Sequence, residues 1–126
     1  MRDENQEPVA ALFKALMHPT RIAILDLLRE GAQCVCHLEA ALDVRQAYVS
    51  QQLSVLREAG LVEDERDGLN VYYRVLKPEV YALLDRARAI TGTQPMSPLA
   101  SDQKEACPCP KCASSTLEKQ SLERNR

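Results

Sequence analysis

The chain reads as a mainly α domain of about five helices with a two-stranded β-wing, in a winged helix-turn-helix arrangement. Three observations predict it. Val49, Leu53 and Leu56 recur at i, i+4 and i+7, giving a helix with one apolar stripe, while Tyr48, Ser50, Gln51, Gln52 and Ser54 fall largely off it. Just before it, Leu38, Ala41 and Leu42 make a second short apolar face, and Asp43-Val44-Arg45 is the break between the two. After it, Asp67-Gly68 separates two strand-like runs, and Val71, Tyr73 and Val75 alternate with Tyr72 and Arg74 at period two. Helix, tight turn, helix is the simplest grammar for reading a DNA groove.

The remaining elements follow in order. Val9, Leu12, Phe13 and Leu16 have helical spacing, with Pro8 suited to the first turn. His18-Pro19 breaks the chain, and Pro19 opens a second helix through Ile22, Ile24, Leu25, Leu27 and Leu28, closed by Gly31. His18, with no second histidine nearby, reads as a capping or packing residue at that junction. Gly60 supplies the stop of the fourth helix. Pro78 starts a last helix whose Val80, Leu83, Leu84, Ala87 and Ile90 form a continuous stripe. A helix so apolar at the end of a small domain needs a partner, so the first and last helices are expected to build a homodimer interface.

With 126 residues there is room for one domain, residues 1–92, and a largely disordered, proline-containing tail, residues 93–126. The N-terminal Arg2, Asp3, Glu4 and Glu7 do not suit a signal peptide, and no apolar run approaches a membrane span, so a cytoplasmic location is expected. The five cysteines then point to metal or redox chemistry more than to disulfides. Cys34 and Cys36 stand before the helix-turn-helix; Cys107, Cys109 and Cys112 are three thiols within six residues of the tail. A formal net charge of −2 gives bulk electrostatics no part in DNA binding, so positive charge must be sorted locally. With only His18 and His37, and no paired acid and base, the sequence argues against an enzyme.

Taken together, ALMHPTRIAILDLL (15–28), CVCHL (34–38), YVSQQLSVLREAGLV (48–62) and DGLNVYYRV (67–75) resemble the ArsR/SmtB family of metal-sensing winged-helix repressors. The resemblance covers about Leu12 to Ile90. It implies a homodimer that sits on a double-stranded operator and falls off when a toxic metal or metalloid binds. The chain departs from the family pattern at Arg45, where a small hydroxyl residue commonly caps the recognition helix, and at Glu39, where arsenic-sensing members carry a third cysteine. His37 also replaces an acidic residue that often follows the pair.

These readings assign DNA contact to Gln46, Tyr48, Ser50, Gln51 and Ser54 at the major groove, with Arg45, Arg57 and Arg66 on phosphates. The two recognition helices of a dimer would stand about 34–36 Å apart and read an inverted repeat. All-sulfur ligands select a soft ion, with As(III) first and Sb(III) or Cd(II) beside it, as effector and not as a requirement for DNA binding. Cys34 and Cys36 are one sulfur short for As(III), and the tail triplet, Cys107, Cys109 and Cys112, is the preferred source of the third; the triplet binding an ion by itself is the alternative. In a regular helix Cys34 and Cys36 would point apart, so a joint site favours an extended or unwound helix start. Two competing functions are a thiol-redox-responsive repressor and a cysteine-rich metal buffer or interaction module.

Overall fold

The computed structural model describes residues 4–96 and consists of five helices and three short strands. Helix α1 (Gln6–Leu16) begins one turn before its apolar stripe, with Pro8 in its first turn. Helix α2 (Pro19–Leu27) starts on its proline, where a missing N–H costs nothing. Strand β1 (Gln33–Cys34) leads directly into α3 (Val35–Leu42), which ends at Asp43 in the left-handed conformation, φ 53°. Helix α4 (Gln46–Glu58) follows α3 after the three residues Asp43, Val44 and Arg45. Strands β2 (Val62–Asp67) and β3 (Asn70–Val75) form the wing, and α5 (Glu79–Thr91) closes the domain at Gly92.

The wing turn sits one residue later than Asp67-Gly68. Asp67 still pairs with Asn70, so Gly68-Leu69 is the two-residue loop, and Gly68 at φ 64° supplies the positive first position that a primed hairpin turn needs. A larger difference from the expected two-stranded wing is β1, which adds antiparallel to β3 with Cys34 opposite Tyr72, giving the order β1-β3-β2. The thiol segment is therefore part of the wing's sheet.

The core is centred on α2, α3 and α4, where Ile24, Leu25, Leu38, Val49, Leu53 and Leu56 are each 0% exposed. The α4 stripe is buried as its spacing predicts. Helices α1 and α5 contribute Ala15, Leu16, Val80 and Leu84 to the core but leave Val9, Phe13, Met17 and Ile90 exposed. An apolar groove of about 650 Å³ runs between them, lined by Phe13, Leu16, Met17, Ile22, Leu83 and Ala87 among others.

Polar groups tie α5 to α2. The buried Asp26 carboxylate accepts from Arg88 at 2.5 Å and from the backbone N–H of Met96 at 3.1 Å. Residues beyond α5 thus lie against the domain as far as Met96, whose side chain also packs on the core. Nearby, Arg29 pairs with exposed Asp85 at 2.8 Å and lies 4.7 Å from the Tyr81 ring centroid. The Asp85 hydrogen bond raises the Arg29 pKa, and the same bond lowers that of Asp85.

The Tyr81 hydroxyl donates to the Leu25 carbonyl at 2.6 Å. Burial pushes its pKa up to about 12, against a smaller opposing pull from Arg29. A pKa raised in the folded state means stability that is complete below the unfolded value near 10 and is lost as pH rises toward 12. Tyr81→Phe should cost about 1 kcal/mol at neutral pH and should remove that alkaline loss, as read by denaturant unfolding at neutral pH and across the range from 10 to 12.

Candidate functional site

Two sets of residues adjoin in this fold, one on α4 and one at the β1–α3 junction. On α4, Arg45 occupies the N-cap with extended backbone and makes no capping hydrogen bond. Its exposed guanidinium can only donate, so the first turn's N–H groups gain nothing from it. Gln46 and Gln51 are exposed, while Ser50 is half-buried. Ser54 donates its hydroxyl proton to the Ser50 carbonyl at 3.0 Å, leaving it an acceptor only. Arg57 is half-exposed and 3.5 Å from Asp64 of β2, so the acidic strand shares its charge. Arg66 is exposed on β2 near the wing tip, and Glu63 is paired with Arg74 directly across the ladder.

Two polar residues of α4 face inward instead. Gln52 is 6% exposed, and its side-chain oxygen accepts from Arg21 Nε of α2 at 2.8 Å. Arg21 also donates to the carbonyls of Lys14 and Ala15, so one guanidinium joins α1, α2 and α4. Tyr48 is half-buried, its hydroxyl 3.2 Å from His18 Nε2 and 3.4 Å from Thr20 Oγ1. Positions 48 and 52 lie one turn apart, which places both on the side of α4 that meets α2. Polar spacing alone does not separate this side from the solvent side, and Arg21 carries no sequence signal for its role.

At the other end of the helix-turn-helix, Cys34 is both a strand residue and the N-cap of α3, at φ −79° and ψ 159°. Its Sγ accepts the backbone N–H of His37 at 3.3 Å, satisfying one of the donors that a helix start leaves open. Cys36 begins the helical turn, yet its Sγ lies 2.8 Å from that of Cys34. The extended cap residue thus brings both sulfurs to one side while α3 keeps its first turn. Cys34 is buried and Cys36 half-exposed. His37 is buried, with 5% exposure. Among the described residues no group of three or more His, Cys, Asp or Glu side chains is placed to hold a metal ion. Cys107, Cys109 and Cys112 lie outside the described residues.

Residues 18–64, which span α2 through the start of the wing, match the family model described as bacterial regulatory protein, arsR family. The chain is 43% identical over 88 residues to the biofilm growth-associated repressor of Agrobacterium fabrum, covering 70% of this chain and 75% of that protein. The chain belongs to the arsR family. It is a winged helix-turn-helix transcriptional repressor that binds DNA. A second arsR-family relative, the arsenic resistance transcriptional regulator ArsR1 of Pseudomonas putida, is 44% identical over 86 residues, 68% of this chain and 65% of that protein. The solution structure of the homodimeric winged helix-turn-helix DNA-binding domain of Mb0332 from Mycobacterium bovis superposes with a TM-score of 0.62 at 32% identity, covering 68% of this chain and 80% of that one. No described helix is long and apolar enough to cross a membrane.

The uncapped start of α4 gives a direct test of Arg45. Arg45→Ser should raise stability by about 0.5–2 kcal/mol through the restored cap. The same change should weaken DNA binding and reduce its salt dependence, if the guanidinium meets a phosphate. Thermal melting and a salt titration of binding separate the two effects.

Proposed function

We propose that the protein is a homodimeric operator-binding repressor that is released when a thiophilic metalloid, As(III) first, is captured by Cys34, Cys36 and a tail cysteine. The observation that carries the reading is the double use of Cys34, whose sulfur caps α3 and faces Cys36 at 2.8 Å. Helix α3 packs on α4 through the fully buried Leu38, so a change at the cap is felt by the DNA-reading helix. A coupling of roughly 1–3 kcal/mol corresponds to 5–150-fold weaker DNA binding.

The third sulfur has a route to the site. Met96 is held on Asp26, and Cys107 lies only eleven positions further along the chain. That length of chain reaches about 36 Å, while the eight residues from Asp26 to Cys34 span at most about 29 Å. A tail thiol can therefore reach Cys34 within one protomer. The dimer forms, in this reading, through the exposed apolar residues of α1 and α5 around their shared groove, and its two copies of α4 meet successive major grooves. Similarity to the arsenic resistance regulator supports the choice of ion.

A redox reading is kept because the two sulfurs stand at 2.8 Å, closer than the edge of about 3.8 Å that 2.3 Å tetrahedral metal–sulfur bonds would impose. A metal would push them apart and a disulfide would draw them together. Fluorescence anisotropy of the duplex upstream of its own gene, titrated with arsenite or with peroxide, distinguishes the two. Arsenite should release the intact protein by at least fivefold in affinity, and should act weakly on protein truncated after Met96 and not at all on Cys34→Ser/Cys36→Ser. An undiminished response of the double variant overturns the proximal site. Release by peroxide alone, reversed by a dithiol, transfers the function to redox sensing.

A further inference from the structure

The contacts of His18 determine which way the protons run in a small ring of groups between α2 and α4. The backbone N–H of Thr20 donates to His18 Nδ1 at 3.1 Å, so this nitrogen carries no proton. In the neutral imidazole the proton is then on Nε2, which points at the Tyr48 hydroxyl oxygen at 3.2 Å. Tyr48 receives that hydrogen bond and keeps its own proton to donate. Its nearest acceptor in the free protein is Thr20 Oγ1 at 3.4 Å, a long contact for two hydroxyls. The rings of His18 and Tyr48 are tilted by 53° with centroids 6.2 Å apart, so the link between them is the hydrogen bond and not stacking.

From this geometry we infer that His18 is a positioning residue for DNA binding: it makes the Tyr48 hydroxyl an obligate donor, poised to leave Thr20 Oγ1 for a DNA phosphate oxygen. The inference rests on α4 being the DNA-contacting helix. A tyrosine free to rotate its hydroxyl would spend part of its time as an acceptor toward other groups; here the acceptor side is occupied by His18. The weak Thr20 contact costs little to exchange for a charged oxygen, where hydrogen bonds are shorter and stronger. Capping alone, which the sequence suggests for His18, needs only Nδ1. The second nitrogen carries the additional role.

His18→Asn separates the two roles, because Asn is a favoured cap but is too short to reach Tyr48. The variant should melt close to the wild-type temperature and bind the duplex upstream of its own gene roughly tenfold more weakly, the size of a lost hydrogen bond to a charged group. Tyr48→Phe should lose a similar factor, and the double variant should be no weaker than Tyr48→Phe alone. Losses that multiply, or a His18→Asn protein that binds as wild type, overturn the inference. Nitrogen-15 NMR of the free wild-type protein, which has two histidines to assign, gives a readout independent of DNA and of variant folding. His18 should be protonated on Nε2 and not on Nδ1, and its Nε2 resonance should move in Tyr48→Phe. An Nδ1-protonated ring with DNA binding intact overturns this inference alone, whereas DNA binding that survives charge reversal of Arg45 and Arg57 on α4 overturns the reading of α4 as the DNA-contacting helix and this inference with it.

Discussion

The hydrogen bond from the His37 amide to the Cys34 sulfur is the constraint around which the proposed switch is arranged. It joins three things that would otherwise be independent: the pairing of β1 with β3, the start of α3, and the state of a buried thiol. A serine or aspartate at this N-cap would hold the helix as well or better. A cysteine there makes the helix start depend on sulfur chemistry. Because Cys34 pairs across the sheet with Tyr72 and its helix packs on α4, a change at this one atom would, in the proposed switch, be passed to both the wing and α4.

The recognition helix is held from its other side by α2. Arg21 with Gln52 and His18 with Tyr48 are polar ties placed one helical turn apart, while Val49, Leu53 and Leu56 bury the apolar stripe between them. Apolar packing sets the distance of α4 from the core, and directional hydrogen bonds resist its rotation and sliding. Such ties are informative because buried amide and guanidinium groups are expensive to leave unpaired. In the proposed switch, small displacements of α3 against a helix so held would change how Arg45, Gln46 and Gln51 are presented, without unfolding the domain.

The helices and the wing hairpin were legible because each carries a period: Val49, Leu53 and Leu56 at helical spacing, Val71, Tyr73 and Val75 at alternate positions. Strand β1 was not, since two residues have no period and its place depends on β3, about forty positions away in the chain. The thiol pair was visible as a motif, but the approach of its sulfurs depends on one extended residue at the helix cap, which spacing cannot report. Arg88 carries no sequence signal for its role: only 13% of its side chain is exposed, and it meets Asp26, whose own burial in the apolar α2 leaves no trace in the sequence either. Likewise Tyr48 and Gln52 share the polar composition of their exposed neighbours, and only the position of α2 turns them inward.

Hydrogen–deuterium exchange in the intact, DNA-free protein, with and without arsenite, tests the central claim most directly. If effector chemistry acts through the Cys34 cap, the amides of the first turn of α3, His37 foremost, should change their exchange together with those of α4, while the α2 amides around the fully buried Ile24 and Leu25 stay protected. Arsenite binding that leaves the exchange of both α3 and α4 unaltered would contradict the account, for the signal would then reach DNA by a path that does not pass through this helix start.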